Sequence, residues 1–407
     1  MAGLRVHLDR RDRVRSALLN SRYNGQTGLA IDANLAYSTV WNFFNCKPIA
    51  QENFRKLCQL LNLEINEIIH RDLIEAPMDE EIWEQELLKP CALIRIQAPF
   101  QFGKTTLMMR MLDRVEREGH ITIYVNINII LNEIRAAGSI DPQTFLYYFI
   151  REIECLIQEQ IEAFVPLVEY ENLVVDKFGH MRAALKYISN LLKYIQTNTA
   201  QPLTIAINRL DGLLDYPDTA NTFLPLLRAM NEKSKLNGVW RNLRLILAYS
   251  TPAIPAFIGI TDHQSPFNVG YQILIPEFTL SQLKKLALQR RLTLNEVQIA
   301  KWMELIGGIP SLAILTFDRI QHDLSILDLS IDELIDRVYH DHLRTLAHWL
   351  DHSDLRSVMR QIATHPEVSQ DLSLKQQCLL HRQGLVIFAQ QTGVKPRCQL
   401  YRIYFSA

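Results

Sequence analysis

The spacing of apolar and polar positions changes twice along the 407 residues of this chain. From residue 1 to 71 apolar positions recur at helical intervals between polar turns. A helix over Asp9–Ser21 ends in the turn Tyr23-Asn24-Gly25-Gln26, and two further helical segments follow. Residues 72–90 read as an acidic connector bounded by Pro77 and Pro90, because proline disfavours helix in the residue before it. From Cys91 the pattern becomes short, nearly continuous apolar runs: Ala92–Gln97, Ile121–Ile127, Leu203–Ile207 and Leu243–Ala248. Such runs predict strands covered on both faces, as in a parallel sheet. Between them Lys104–Glu118, Pro142–Phe164, His180–Gln196 and Ala220–Leu236 are amphipathic, which predicts a multidomain α/β chain. After about residue 275 helical spacing returns over Leu280–Arg290, Leu294–Leu305, Ser311–His322 and Ser330–Leu350. The pattern ends as a helix, Leu374–Gln383, and a hairpin: Gly384–Phe388, a turn at Gln390–Gly393, and Leu400–Phe405.

The first strand runs into Ala98-Pro99-Phe100-Gln101-Phe102-Gly103-Lys104-Thr105-Thr106 and then a helix. This is the phosphate-loop arrangement G-x-x-x-x-G-K-[ST] with Ala98 in the first glycine position. Backbone N–H groups at a helix N-terminus suit phosphates, Gly103 permits close backbone approach, and Lys104 supplies a charge for the terminal phosphates. The Thr105 hydroxyl is the expected Mg²⁺ ligand, so ATP or ADP with Mg²⁺ is the expected cofactor. Phosphoryl transfer also needs a carboxylate at the end of a second apolar strand. The strand Leu203–Ile207 ends instead in Asn208-Arg209-Leu210-Asp211, with Asn208 where the metal-shell Asp belongs and Arg209 where a catalytic Glu would stand. Arginine has no acceptor and cannot act as a base near neutral pH. The expectation is at best a slow ATPase, with Asp211 as the candidate catalytic group and helix capping as its alternative role. Ser250, at the end of the next strand, is a candidate sensor of the terminal phosphate, with an ordinary capping or turn role as its alternative.

Composition changes this picture little. The formal net charge is −1, so no global field points to nucleic acid or membrane. Residues 1–71 carry 10 Lys+Arg against 6 Asp+Glu, and the next stretch is acidic. The six cysteines are scattered without a C-x-x-C pair, which predicts neither a disulfide framework nor a zinc site and fits a reducing, cytoplasmic setting. Arg5, Arg10, Arg11, Arg13 and Arg15 precede no apolar core of a secretory signal. The most apolar stretch, Ile121–Leu131, is broken by Asn126 and Asn128, so no membrane span is expected. His340, His342, His348, Asp351 and His352 crowd one helix, yet lack the Glu of H-E-x-x-H, and read as a polar face.

With these pieces placed, residues 80–405 resemble the AAA-like P-loop family that abounds in cyanobacteria, related to the STAND class of signal-transduction ATPases. The segments carrying the resemblance are Ala98–Thr106, the strand before Asn208, Ser265-Pro266-Phe267-Asn268-Val269-Gly270, and Ile275-Pro276-Glu277-Phe278-Thr279. Gly307-Gly308-Ile309-Pro310 and Lys395-Pro396-Arg397-Cys398, leading to Leu400-Tyr401, complete the set. The resemblance implies a nucleotide-binding core over 91–272, a helical lid over 273–328 and a winged helix over 329–407, after an N-terminal domain (1–75) and an acidic linker (76–90). It implies that the Gly308-Ile309-Pro310 turn lies against the nucleotide, with Pro310 at the site. The family usually shows Asp-Glu where this chain has Asn208-Arg209. STAND proteins carry sensor repeats after the winged helix, and this chain ends at Ala407, so sensing is expected to use its own surface or a separate partner.

Residues Gln26–Ile69 resemble a Cro/C1-type helix-turn-helix. Gly28–Ala33 is then the first helix, Asn34–Tyr37 the turn and Ser38–Asn45 the recognition helix, followed by Lys47-Pro48 and the helix Gln51–Leu61. Ser38, Thr39 and Asn42 would meet base edges or a partner, with Arg55 and Lys56 on phosphates. Val40, Trp41, Phe43 and Phe44 on the same helix fit a core or a protein-docking face instead. The leading reading is an ATP- or ADP-binding switch coupled through the N-terminal block to a protein partner or DNA. The alternatives are a DNA-binding regulator with a vestigial phosphate loop, a working ATPase assembled as a homo-oligomer, and an adaptor scaffold of a defence or signalling system.

Overall fold

A computed structural model describes residues 6, 11–47, 49–63, 80–161, 164–165, 179–236, 238–250, 265–365, 372–389 and 393–406. Arg5, Arg10, Pro48, the acidic stretch before residue 80, Thr251 and the turn at 390–392 lie outside these residues. The chain divides into two compact units, Met1–Glu75 and Ala76–Ala407.

In the first unit four helices are described: α1 (Arg11–Leu19), α2 (Gly25–Ala33), α3 (Tyr37–Phe44) and α4 (Gln51–Leu60). Asn34 closes α2 in the left-handed region, at φ 48°, a conformation asparagine tolerates better than most residues. The aromatics of α3 divide between core and surface. Phe43 and Phe44 are fully buried and stack edge-on at 5.5 Å, and Phe43 meets Phe54 of α4 at 5.1 Å. Trp41 stays half-buried with the Lys47 ammonium 5.0 Å from its ring. Packing the aromatics inward leaves Ser38 exposed and Thr39 and Asn42 half-exposed, and Arg55 and Lys56 project from α4.

The second unit opens with α5 (Glu80–Leu88), inside the stretch that the sequence presents as a connector. Trp83 and Leu87 explain the difference, because they stand one helical turn apart and both are buried. A five-stranded sheet follows, in the order β2-β3-β4-β1-β5 with every neighbouring pair parallel. The strands are β1 (Leu93–Gln97), β2 (Ile121–Asn126), β3 (Leu203–Asn208), β4 (Leu243–Tyr249) and β5 (Tyr271–Leu274). Every residue of β1, β3 and β4 is buried, as inner strands covered on both faces must be. The edge strand β2 alternates buried and half-buried positions. At the other edge β5 buries only Ile273, which is why its apolar signal is faint.

Around the sheet lie α6 (Lys104–Arg117), α7 (Ile127–Ala137), α8 (Pro142–Gln158), α9 (His180–Asn198) and α10 (Pro217–Ser234). Helix α7 begins where the sequence suggests only an interruption. The Asn126 side chain accepts from the N–H of Asn128, capping the helix at the end of β2. Phe223 of α10 receives Phe145 and Phe149 of α8 edge-on at 5.0 and 4.8 Å, at the centre of the core. Next come α11 (Leu280–Gln289), α12 (Glu296–Ile306) and α13 (Pro310–His322). A short helix, Ile331–Leu334, then runs through a π turn, Ile335–Tyr339, into α14 (His340–His352). The remaining elements are α15 (Arg356–Thr364), α16 (Leu374–Arg382), the antiparallel pair β6 (Val386–Ala389) and β7 (Gly393–Pro396), and α17 (Gln399–Ser406).

The expected second hairpin strand, Leu400–Phe405, is therefore a helix, and Gly393–Pro396 takes its place in the hairpin. Leu400, Tyr401 and Phe405 are all buried, and their spacing puts them on one helical face rather than on one side of a strand. No helix among the described residues is long and apolar enough to cross a membrane.

Candidate functional site

The carboxyl ends of β1, β3 and β4 lie side by side in a parallel sheet, the position where such sheets present their loops to ligands. From β1 the chain passes through Ala98 and Pro99, both buried, to Gln101 and Gly103 in the left-handed region at φ 65° and 85°. The two reversals deliver Lys104 to the first turn of the fourteen-residue helix α6. Gly103 has no atom within 4 Å of the position a Cβ would take, so its glycine serves backbone conformation and open space above the loop.

The Lys104 ammonium donates to the carbonyls of Ala98 at 2.9 Å and Pro99 at 2.7 Å. Part of the residue faces solvent, but its charged end is closely surrounded. Burial pushes its pKa down to about 8, with the nearby Asp211 carboxylate acting the other way and the Arg209 charge adding to the depression. Lys104, Asp211 and Arg209 thus form one electrostatic group, although Arg209 and Asp211 follow β3, two strands away from β1 in the sheet.

Asn208, almost wholly buried at the end of β3, ties the group together. Its Oδ1 accepts from the backbone N–H of Arg209 at 2.9 Å. Its Nδ2 donates to the Thr105 hydroxyl at 3.0 Å and to the Tyr124 hydroxyl of β2 at 2.8 Å. The backbone donor settles which end of the amide is which, because a flipped amide would set an NH₂ against an N–H. Arg209 itself is left-handed at φ 58° and holds its guanidinium 5.4 Å from the centre of the Phe100 ring. Asp211 turns toward β4, where its two oxygens accept from the N–H and the hydroxyl of Ser250, both at 3.2 Å.

The sequence-based candidates fall into three sets. Ala98, Gly103, Lys104, Thr105 and Asn208 come together directly, with Thr106 half-buried in the same turn of α6. Ser250 joins through Asp211 rather than by facing the loop. Pro310 opens α13 in buried surroundings, and its neighbour Ser311 donates to the Gln101 side chain of the loop at 3.3 Å. The histidine-rich helix gathers no metal cluster among the described residues. There His342 meets the Tyr401 hydroxyl at 2.9 Å, and the Nδ1 of His352 meets the His348 carbonyl.

The expected magnesium set fits less well. Mg²⁺ demands oxygen ligands in a nearly ideal octahedron. Beside the Thr105 hydroxyl this chain places an amide NH₂, held there by its other hydrogen bonds, and Asp211, the one acid of the trio, is turned to Ser250. The donor set next to Thr105 thus opposes a divalent cation.

Several participants are absent from the sequence-based candidates, although Glu277 and Arg397 lie in segments that carry the family resemblance. Tyr124 lies in an ordinary edge-strand pattern. Arg382 of α16 accepts the N–H of Phe100 on its carbonyl at 2.8 Å. Gly384 stands at φ +85°, where an added Cβ would lie 3.3 Å from the Phe100 carbonyl. Arg397 pairs with Glu277 at 2.6 Å and lies 5.1 Å from the ring centre of Phe102. Backbone-to-backbone contacts of this kind leave no trace in residue type, although Gly384 was a possible pointer.

A phosphate-loop α/β core of this order, followed by helices and a small hairpin domain, defines an AAA-like P-loop ATPase fold. Residues 69–407 match the family described as AAA-like domain, and the chain belongs to that family. A Walker-type ATPase of Pyrococcus abyssi, 16% identical, aligns over 83% of this chain and 97% of its own with a TM-score of 0.57, which shows a shared fold. The Aeropyrum pernix ORC2 protein, solved as ADPNP–ADP complexes, is 13% identical over 83% of this chain and 96% of its own, with a TM-score of 0.45. Cdc6p from Pyrobaculum aerophilum is 14% identical over 83% and 96%, with a TM-score of 0.40. No curated protein sequence matches the chain.

Proposed function

We propose that this protein is a nucleotide-gated switch that binds ATP or ADP at Gly103, Lys104 and Thr105 and turns it over slowly or not at all. The observation that carries the reading is the hydrogen bond from the Phe100 N–H to the Arg382 carbonyl, which pins the phosphate loop to the C-terminal elements. A bound polyphosphate must draw Lys104 away from the Ala98 and Pro99 carbonyls, one residue from that bond. Nucleotide binding and C-terminal docking then act on the same few residues, which is the differential affinity a switch requires. Hydrolysis is slow in this reading because the Walker B position is degenerate. Asn208 and Arg209 supply no base, and Asp211 serves to hold Ser250 beside Lys104 rather than to take a proton from the attacking water.

The C-terminal elements act as the winged helix of the switch, and α11–α13 as its lid. The N-terminal block acts as a helix-turn-helix-like output module that engages a protein partner or DNA through Ser38, Thr39, Asn42, Arg55 and Lys56. The inward packing of Phe43 and Phe44 favours this, because it clears the outer face of α3 for contact.

Calorimetric titration of the whole chain with ATP and with ADP tests the switch. Micromolar binding is expected, and Gly384→Ala is expected to tighten ATP binding severalfold. The added Cβ, 3.3 Å from the Phe100 carbonyl, crowds the docked state, whereas the left-handed strain of about 1–2 kcal/mol falls on the turn itself in either state. Absence of binding removes the reading, and affinity untouched by Gly384→Ala breaks the link between loop and C-terminal elements.

Binding is also expected to depend on pH with a defined sign. With its pKa near 8, Lys104 loses its proton above that value in the free protein, whereas a bound phosphate holds the proton on. Binding then takes up a proton, and affinity should fall by up to about tenfold per pH unit above pH 8. Titrations at pH 7, 8 and 9 in buffers of different ionisation enthalpy measure both the slope and the proton uptake.

A further inference from the structure

We propose that Arg209 takes the place of the divalent cation at this site, so that the protein binds a nucleoside polyphosphate free of metal. The inference rests on the nucleotide-binding reading above and deepens it, by naming the ionic form of the ligand and a further residue that grips it.

Three observations converge. The Asn208 amide is locked with its NH₂ toward Thr105, because its oxygen is committed to the Arg209 N–H. A donor at that place repels a metal ion, and with both its hydrogens given to the Thr105 and Tyr124 hydroxyls the amide offers a cation no ligand. Asp211, the acid that follows in sequence, spends two acceptor positions on Ser250. Arg209, lastly, stands at the head of the loop with its guanidinium over Phe100, and among the described residues no carboxylate forms an ion pair with it. Its backbone is held at φ 58°, ψ 41°, a conformation that costs an arginine energy and that is found preferentially where function demands it.

Charge supports the same conclusion. Metal-free ATP is more negative than its magnesium complex by the two charges of the ion. Lys104 and Arg209 lie close enough for each to feel the other's charge, and the N-terminus of α6 adds a partial positive charge. A planar guanidinium also pairs with phosphate oxygens two at a time, a geometry that a hydrated ion does not reproduce. The Phe100 ring stacks beneath it and restricts where it can reach.

The test is a titration of the full chain with ATP in EDTA and again in excess Mg²⁺. Binding in EDTA at least as tight as binding in Mg²⁺ is expected. Arg209→Gly should weaken the EDTA binding about tenfold or more, a loss near that of one charge-assisted contact. Glycine adopts φ 58° without strain, and a melting point matching the wild type separates a lost contact from misfolding. The double change Asn208→Asp with Arg209→Gly should reverse the preference, giving binding about tenfold tighter in Mg²⁺ than in EDTA. Wild-type binding that requires Mg²⁺, or EDTA binding unchanged in Arg209→Gly, overturns the inference while leaving nucleotide binding in place. No binding in either condition overturns both, and so marks the failure as that of the underlying reading.

Discussion

Lys104→Ala is expected to weaken ATP binding by about a hundredfold while leaving the folded protein as stable as before, or more so. The affinity loss follows from removing a charged donor aimed at the terminal phosphates, since two charge-assisted hydrogen bonds at about 1.5 kcal/mol or more each correspond to two decades in affinity. The stability effect has the opposite sign, for a reason visible in the site. Burial lowers the Lys104 pKa to about 8, below its value in an unfolded chain, so below pH 8 its ammonium opposes folding. As pH rises from about 8 toward the unfolded value, the unfolded state binds more protons than the native one, and that penalty fades. Alanine removes the penalty at neutral pH. A calorimetric titration paired with a thermal melt at pH 7 reads both effects. A variant that binds ATP like the wild type rules Lys104 out as a phosphate ligand, and a sharply lowered melting point would mean that its bonds to Ala98 and Pro99 outweigh its desolvation.

The second large effect is expected at Gly308. It lies at φ +71° in the turn into α13, and a Cβ there would come 2.3 Å from the Phe278 carbonyl, a backbone atom that cannot swing aside. The same turn is closed by the Phe278 N–H donating to the Gly308 carbonyl at 2.8 Å. Gly308→Val therefore combines left-handed strain of about 1–2 kcal/mol with overpacking of about 1–3 kcal/mol. The unfolding midpoint of the larger unit should drop by roughly 5–10 °C. Gly179→Ala is the matched control. Gly179 precedes α9 at φ −56° with nothing within 4 Å of an added Cβ, so its effect should stay within about 0.5 kcal/mol. Equal melting points for the two variants would show that the turn relaxes around the new side chain. Because α13 also carries Ser311 to Gln101 of the phosphate loop, any Gly308→Val protein that folds should bind nucleotide more weakly as well.

The two sites differ in how far the sequence exposes them. Lys104 is legible because the phosphate loop is local: a buried strand, a left-handed glycine and a helix N-terminus are consecutive, so residue types alone carry the geometry. Gly308 is visible as a turn within G-G-I-P, but its close approach to Phe278 is not, since that carbonyl belongs to a segment thirty residues earlier.

The sequence by itself determined the inner strands, because continuous apolar runs are what burial on both faces requires, and it determined the loop that ends the first of them. It also placed Asn208 and Arg209 at the end of β3, where a carboxylate would be expected. Tertiary structure alone decided the rest. An edge strand such as β5 buries one residue and so leaves no pattern to read. Leu400–Phe405 is helical because its buried face packs as a helix, whereas its composition suits a strand as well. The bond from Asn208 to Thr105 depends on β4 lying between β3 and β1, an order that no local period encodes. The contact of Phe100 with Arg382 joins two backbones, and a backbone group has no letter in the sequence. Local periodicity is written residue by residue, whereas partners distant along the chain are chosen only when the whole core closes.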